Sequence, residues 1–99
     1  MLFNWDLGNM QHVLDDYPER FNTKEEVESI FNDPYFMIKA GKIVDDEQRF
    51  TGIGYGLQET LKVVIFVIRE QKIRPISCWQ AKSKIQKEYN ENRKTNYGN

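Results

Sequence analysis

Three cations, Arg69, Lys72 and Arg74, crowd around the dipeptide Glu70-Gln71. A guanidinium binds phosphate oxygens in pairs, so Arg74 is the foremost candidate for an anion contact; a salt bridge to Glu47 or another acid would occupy it equally well. Glu47 and Arg49 stand close enough in sequence to form a structural ion pair at a strand start. His12 is the only histidine, the side-chain type whose ordinary pKa lies near neutrality, and hence a candidate for moving a proton. Trp79 with a cation beside it can stack a nucleotide base or serve as a packing residue and protein-contact anchor. Tyr89 offers a hydroxyl donor from a final helix, or packs its ring.

Most of these residues belong to one hairpin. With Glu70 and Gln71 as the turn, Arg69 opposes Lys72, Val67 opposes Arg74, Ile65 opposes Ile76 and Val63 opposes Cys78. The other face then carries Ile68, Phe66, Val64 and Lys62 opposite Ile73, Pro75, Ser77 and Trp79. Both faces are largely apolar, which predicts a hairpin inside the sheet, covered on each side. Pro75 has no amide for the ladder, so it predicts an edge or a bulge.

The elements around the hairpin follow from pattern. Residues 2–6 alternate and read as a short strand. Asp6 caps a helix with Met10, Val13, Leu14 and Tyr17 on one stripe, which Pro18 stops. Thr23 and Glu26 form a capping box for a second helix that buries Val27, Ile30 and Phe31 and ends at Asn32-Asp33-Pro34. Tyr35–Ile38 is a strand, 41–47 a loop or irregular strand, and Arg49–Tyr55 a strand that Gly52 and Gly54 weaken, marking a bulge. Leu61–Arg69 is the strongest strand. The last helix spans about 81–90, with Ala81, Ile85 and Tyr89 on one face and Lys82, Lys84 and Lys87 off it. The sum is an α+β layer fold: an N-terminal strand, two helices, three or four antiparallel strands and a C-terminal helix.

The 99 residues make one domain, read as 1–90 with a polar, frayed tail at 91–99. The single cysteine, Cys78, excludes an intrachain disulfide, fits a reducing compartment and lacks partners for a zinc site. The longest apolar run, 63–68, is too short to span a bilayer, and MLFNWD does not have the order of a secretion signal; a cytoplasmic protein is expected. Residues 1–50 carry eleven acids against five bases, a balance of −6, while residues 51–99 carry nine bases against four acids, or +5. The basic half faces phosphate or an acidic partner, or the two halves are simply solvated faces of opposite sign. Gly52, Gly54 and Gly56 fall in a strand and turn, not between a strand and a helix, so no phosphate-cradling loop and no cofactor are expected.

The ordered set Phe3-x-Trp5-Asp6, Thr23-x-Glu25-Glu26, Phe31-x-Asp33-Pro34, Glu47-x-Arg49-Phe50, Ile53-Gly54, Val63-Val64, Ile68-Arg69, Ile73-Arg74-x-Ile76-Ser77, Ala81 and Tyr89 resembles the BrnT-type toxins of bacterial toxin–antitoxin modules. Their fold is similar to that of the RelE-like ribonucleases. The resemblance implies metal-independent cleavage of messenger RNA, RNA or the ribosome as target, and a small DNA-binding antitoxin as partner. Arg49, Arg69 and Arg74 match the family. On this basis Arg74, Arg69, Tyr89 and His12 are the candidate catalytic residues, although His12 matches no family histidine. Arg49, Lys62, Lys72, Trp79 and Lys82 are the candidate RNA contacts.

The chain also departs from the family. Asn9 replaces a lysine; residues 16–21 replace a His-Gly between the first helices; Ser77-Cys78-Trp79 replaces Ser-Ala-Arg; Ile85 replaces a glutamate. These changes remove polar groups and keep scaffold positions. They support an alternative: a catalytically degenerate interaction module in which Trp79 and Ile85 turn a cleft into a contact patch for an antitoxin or another partner.

Overall fold

A computed structural model describes residues 1–97, with side chains through Thr95. Four antiparallel strands form a meander in the order β1 (Met37–Val44), β2 (Glu47–Tyr55), β3 (Leu61–Arg69) and β4 (Lys72–Gln80). Helix α1 (Leu7–Met10) widens into a π-helical turn over Gln11–Asp15, a 3-10 turn covers Pro18–Arg20, and α2 (Lys24–Ile30) and α3 (Ser83–Tyr97) complete the chain. The α+β class is thus as the pattern predicts. The N-terminal strand is reduced to one parallel bridge, Phe3 to Ile73. Its hydrogen bonds, from Ile73 N to Leu2 O (2.9 Å) and from Asn4 N to Ile73 O (2.7 Å), lay the first residues along the outer edge of β4.

The sheet is covered on both sides, as two apolar faces require. On one side Val13, Val27, Ile30 and Phe31 pack on Val64, Phe66 and Cys78. Phe31 meets the rings of Phe3 and Phe66 edge-on at centroid distances of 5.3 and 5.0 Å and that of Phe36 at a tilt at 4.9 Å; such edge-on contacts add to area burial. On the other side Ile53, Leu61 and Val63 pack against Ala81 and Tyr89. Burial pushes the Cys78 thiol up to about 12, so it stays protonated and inert.

The hairpin register is correct only up to the proline. Arg69 pairs with Lys72, Ile68 with Ile73, Val67 with Arg74 and Phe66 with Pro75. The ladder then slips by one residue, so Ile65 opposes Ser77, Val64 opposes Cys78, Val63 opposes Trp79 and Lys62 opposes Gln80. Pro75, with no amide to give, sits at the resulting bulge. The predicted pairing of Lys62 with Trp79 is therefore wrong.

Other differences have equally local causes. Of the two readings of 41–47, loop or irregular strand, the second holds through Val44: β1 continues there with a register shift between Ala40 and Ile43. It turns on Asp45 and Asp46, which hold positive φ values of 51° and 62°, the geometry of a tight hairpin turn usually given to Asn or Gly. No bulge occurs at Gly52 or Gly54, whose strand pairs regularly with β3. Gly52 is needed for close approach: a Cβ there would lie 2.4 Å from Cζ of Phe36. The capping box at Thr23 is half made. Thr23 Oγ1 accepts from Glu26 N at 3.0 Å, but the Glu26 carboxylate turns inward. It accepts from Gln58 N at 3.0 Å and lies 3.2 Å from Lys62 Nζ. Helix α3 begins at Ser83 and runs through most of the segment read as tail; residues 98–99 lie outside the described residues.

Candidate active site

The site is built where the N-terminus meets the bulged strand. Asp6 caps α1 by accepting from Asn9 N at 3.2 Å, and Asp6 N donates back to Asn9 Oδ1 at 2.8 Å. Asn9 is buried, and its amide donates to Asn4 O and to Pro75 O, both at 3.0 Å. One asparagine thereby locks helix, N-terminal segment and bulge together, satisfying the carbonyl that the slipped ladder exposes.

Beside this lock lies a hollow of about 240 Å³, lined by Gly8, Asn9, His12, Arg69, Arg74 and Ile76. Three of the four candidate catalytic residues meet here. Arg74, 15% exposed, donates to Asn4 Oδ1 at 2.6 Å and to both Asp6 oxygens at 2.9 and 3.2 Å. Arg69, 52% exposed, makes a two-pronged bond to Glu47 at 2.7 and 2.8 Å. Glu47 therefore pairs with Arg69 rather than with its sequence neighbour Arg49. His12 stands at the rim, its Nδ1 3.9 Å from Asp16 Oδ2 and its ring edge-on to Tyr17.

Electrostatics tie the two pairs into one cluster. The Arg74 guanidinium, then the Asn9 amide, holds the Asp6 carboxyl below its ordinary value. Arg69 does the same to Glu47, with smaller pulls from Arg49 and Arg74, and Glu47 in turn tightens the proton on Arg69. The hollow thus presents two fixed cations, each shared with a carboxylate, and one imidazole. Such a set can bind a phosphodiester, stabilise added negative charge on its phosphorus and relay a proton.

The family model described as ribonuclease toxin, BrnT, of type II toxin-antitoxin system matches residues 5–84. The chain belongs to this family. No curated protein matches it. A BrnT-family toxin has an antitoxin as partner, and among the described residues no helix is long and apolar enough to cross a membrane.

The remaining candidates of the BrnT-like reading lie elsewhere. Tyr89, 1% exposed, donates its hydroxyl to Asp33 Oδ2 at 2.6 Å on the α3 side of the sheet. Burial, then the Asp33 bond, pushes its pKa up. It lines a different hollow, with Tyr35, Tyr55 and Arg93. Lys62, 2% exposed, is no surface contact: besides Glu26 it reaches Asn22 Oδ1 at 2.9 Å, Gln58 Oε1 at 3.0 Å and Arg20 O at 3.3 Å. Trp79 and Ile85 are half-buried against the α3-side core. Arg49 lines a third hollow with Gly41, Lys42, Thr51 and Ile65. Lys72 is half-buried on β4 beside the turn, and Lys82 is exposed ahead of α3.

Sequence reasoning missed Asn4 and Asp6 as partners of Arg74 and treated Asn9 only as a lost lysine. Their contacts span most of the chain and depend on the parallel bridge at Phe3. Only the capping pattern at Asp6 was readable in advance.

Proposed function

We propose that this toxin cleaves messenger RNA without a metal ion, at the hollow formed by His12, Arg69 and Arg74. The observation that carries the reading is their convergence from the π-helical turn after α1, the end of β3 and the start of β4 on one open site. In the reaction the RNA 2′-oxygen bonds to the adjacent phosphorus and the bond to the 5′-oxygen breaks. His12 takes the 2′-hydroxyl proton, and the leaving 5′-oxygen takes a proton from imidazolium or water. The two guanidiniums bear the charge that builds on the phosphorane oxygens. An incoming phosphate must share or displace Asp6 and Glu47. The toxin family supports a cytoplasmic enzyme acting on RNA or on the ribosome, held in check by a small DNA-binding antitoxin.

A second reading has its own observation: both guanidiniums are already satisfied by carboxylates in two-pronged geometry. On that reading the chain is a non-catalytic module that keeps antitoxin binding. Induced expression in a bacterial host separates the two. The nuclease reading expects growth arrest with cut transcripts, abolished in Arg74→Ala and His12→Ala but kept in the exposed control Lys94→Ala. It also expects purified protein to cut RNA in excess chelator. No arrest and no cutting, with antitoxin binding intact, overturns it.

A further inference from the structure

A second hollow, of about 430 Å³, opens at the corner where α2 runs into β1 and where β2 turns into β3. Its walls include Pro34, Tyr35, Tyr55, Leu57, Tyr89 and Arg93. The last two lie beyond the segment that matches the family. The Arg93 guanidinium stacks on the Tyr35 ring at 4.4 Å, and Tyr55 stands edge-on to Tyr89 at 5.5 Å.

The walls are fixed before anything binds. Asp33 accepts from Tyr35 N and Tyr55 N at 2.8 Å each and from Tyr89 Oη at 2.6 Å. The loop that follows is pinned to α2: Leu57 N donates to Ser29 Oγ at 2.9 Å and Gln58 N to Glu26 Oε1 at 3.0 Å. Gly56 permits this approach, since a Cβ there would lie 2.5 Å from Glu26 Oε1. Yet this anchored loop holds Leu57 out in water, 71% exposed. Gln58 Nε2 bonds Phe21 O at 2.6 Å, which ties in a second segment whose Phe21 is 73% exposed at a left-handed φ of 53°. A bulky residue held in that region costs conformational energy, and such strain gathers at binding surfaces.

Tyrosine, arginine and a large aliphatic side chain around a rigid hollow are the composition of a protein-contact centre, where few residues carry most of the affinity. Exposed Glu25 lies on α2 one turn before Ser29, which lines the hollow, and exposed Glu59 follows two residues after Leu57 in the anchored loop. Their carboxylates repel a phosphate backbone and attract a basic peptide. We propose that the antitoxin docks here, seating a large apolar side chain in the hollow while basic residues of the same segment meet Glu25 and Glu59. The proposal rests on the antitoxin partner of the functional reading and specifies its surface, away from the His12 hollow.

The test measures affinity between the purified chain and the purified antitoxin of its own module, which needs no nuclease activity. Leu57→Asp combined with Phe21→Ser should weaken binding by about 30-fold or more. Glu25→Lys with Glu59→Lys should weaken it and lessen its salt dependence. Ile43→Asp, an equally exposed apolar site on β1, should leave it unchanged. Circular dichroism confirms the fold of each variant, and toxicity, if the wild type shows it, should persist in the Leu57 variant and escape neutralisation by co-expressed antitoxin. Unchanged antitoxin affinity in both corner variants overturns the proposal. So does loss of RNA binding with antitoxin binding kept, which would make the hollow an RNA subsite.

Discussion

The clamp on Arg74 is a carboxylate at the surface, so it is tunable by pH. Asp6 has a folded pKa below its ordinary value of 3.8 because Arg74 and the Asn9 amide favour its charged form. A depressed folded pKa means the contribution is fully present above the unfolded value and is lost as pH falls through the folded one. Asp6→Asn keeps a competent helix cap but removes the charge. Urea denaturation should therefore find the wild type more stable at neutral pH, with the gap closing as pH drops below 3.8. A gap that stays constant into acid would show that the pair does not govern Arg74. Lys62 makes the contrasting case, since its ammonium is buried beside Glu26 with three further oxygens. Removing one member of a buried pair strands the other charge, so Lys62→Ala should cost about 3–5 kcal/mol of stability. Denaturation of this variant checks the magnitude, and RNA contacts at the His12 hollow should be unaffected in whatever fraction stays folded.

At the scale of elements, the two tight hairpins share an unusual choice. Neither turn uses glycine or asparagine: Asp45 and Asp46 close one, and Glu70 and Gln71, at φ 50° and 65°, close the other. Left-handed backbone costs an ordinary residue roughly 1–2 kcal/mol. Replacing Glu70-Gln71 by Asn-Gly should stabilise the chain by about 1 kcal/mol, visible as a rise of roughly 4–8 °C in Tm. No rise would mean that the side chains of Glu70 and Gln71 compensate for the strain. The same turns explain what was readable in advance. Dense β-branched residues made β3 plain, and the Glu70-Gln71 turn gave the pairs Arg69–Lys72 and Val67–Arg74 on one face, so the nearness of the two arginines was legible. The Asp45-Asp46 turn carries no glycine, so the second half of β1 stayed open between a loop and an irregular strand. Pro75 was read as marking an edge or a bulge, without its phase, and the one-residue slip in β4 is what moves Cys78 to the α2 side, opposite Val64, and sets Trp79 against Val63 on the α3 side. Tyr89 was grouped with the arginines because sequence spacing does not show which side of the sheet α3 covers; it covers the face opposite α2.

At the scale of the molecule, the charge imbalance between the halves does not become a basic surface track. The net charge is −1. Arg69 and Arg74 are each shared with a carboxylate, Lys39 with Glu88, and Lys62 is buried. Affinity of a nuclease for free single-stranded RNA falls with salt in proportion to the phosphates it neutralises, with a slope of about −0.7 for each. With two guanidiniums at the hollow, the logarithm of the binding constant should fall with the logarithm of salt at a slope of about −1.4. Such a shallow dependence means weak capture of free RNA, and places the burden of recognition on positioning by whatever presents the transcript. A titration series in rising potassium chloride measures the slope with an uncleavable 2′-deoxy oligonucleotide. A much steeper slope, reduced separately by Lys72→Ala, Lys82→Ala and Arg49→Ala, would show that RNA runs along a longer path than the hollow. An unchanged slope in those three variants, with loss in Arg69→Ala, would confine the contact to the arginine pair.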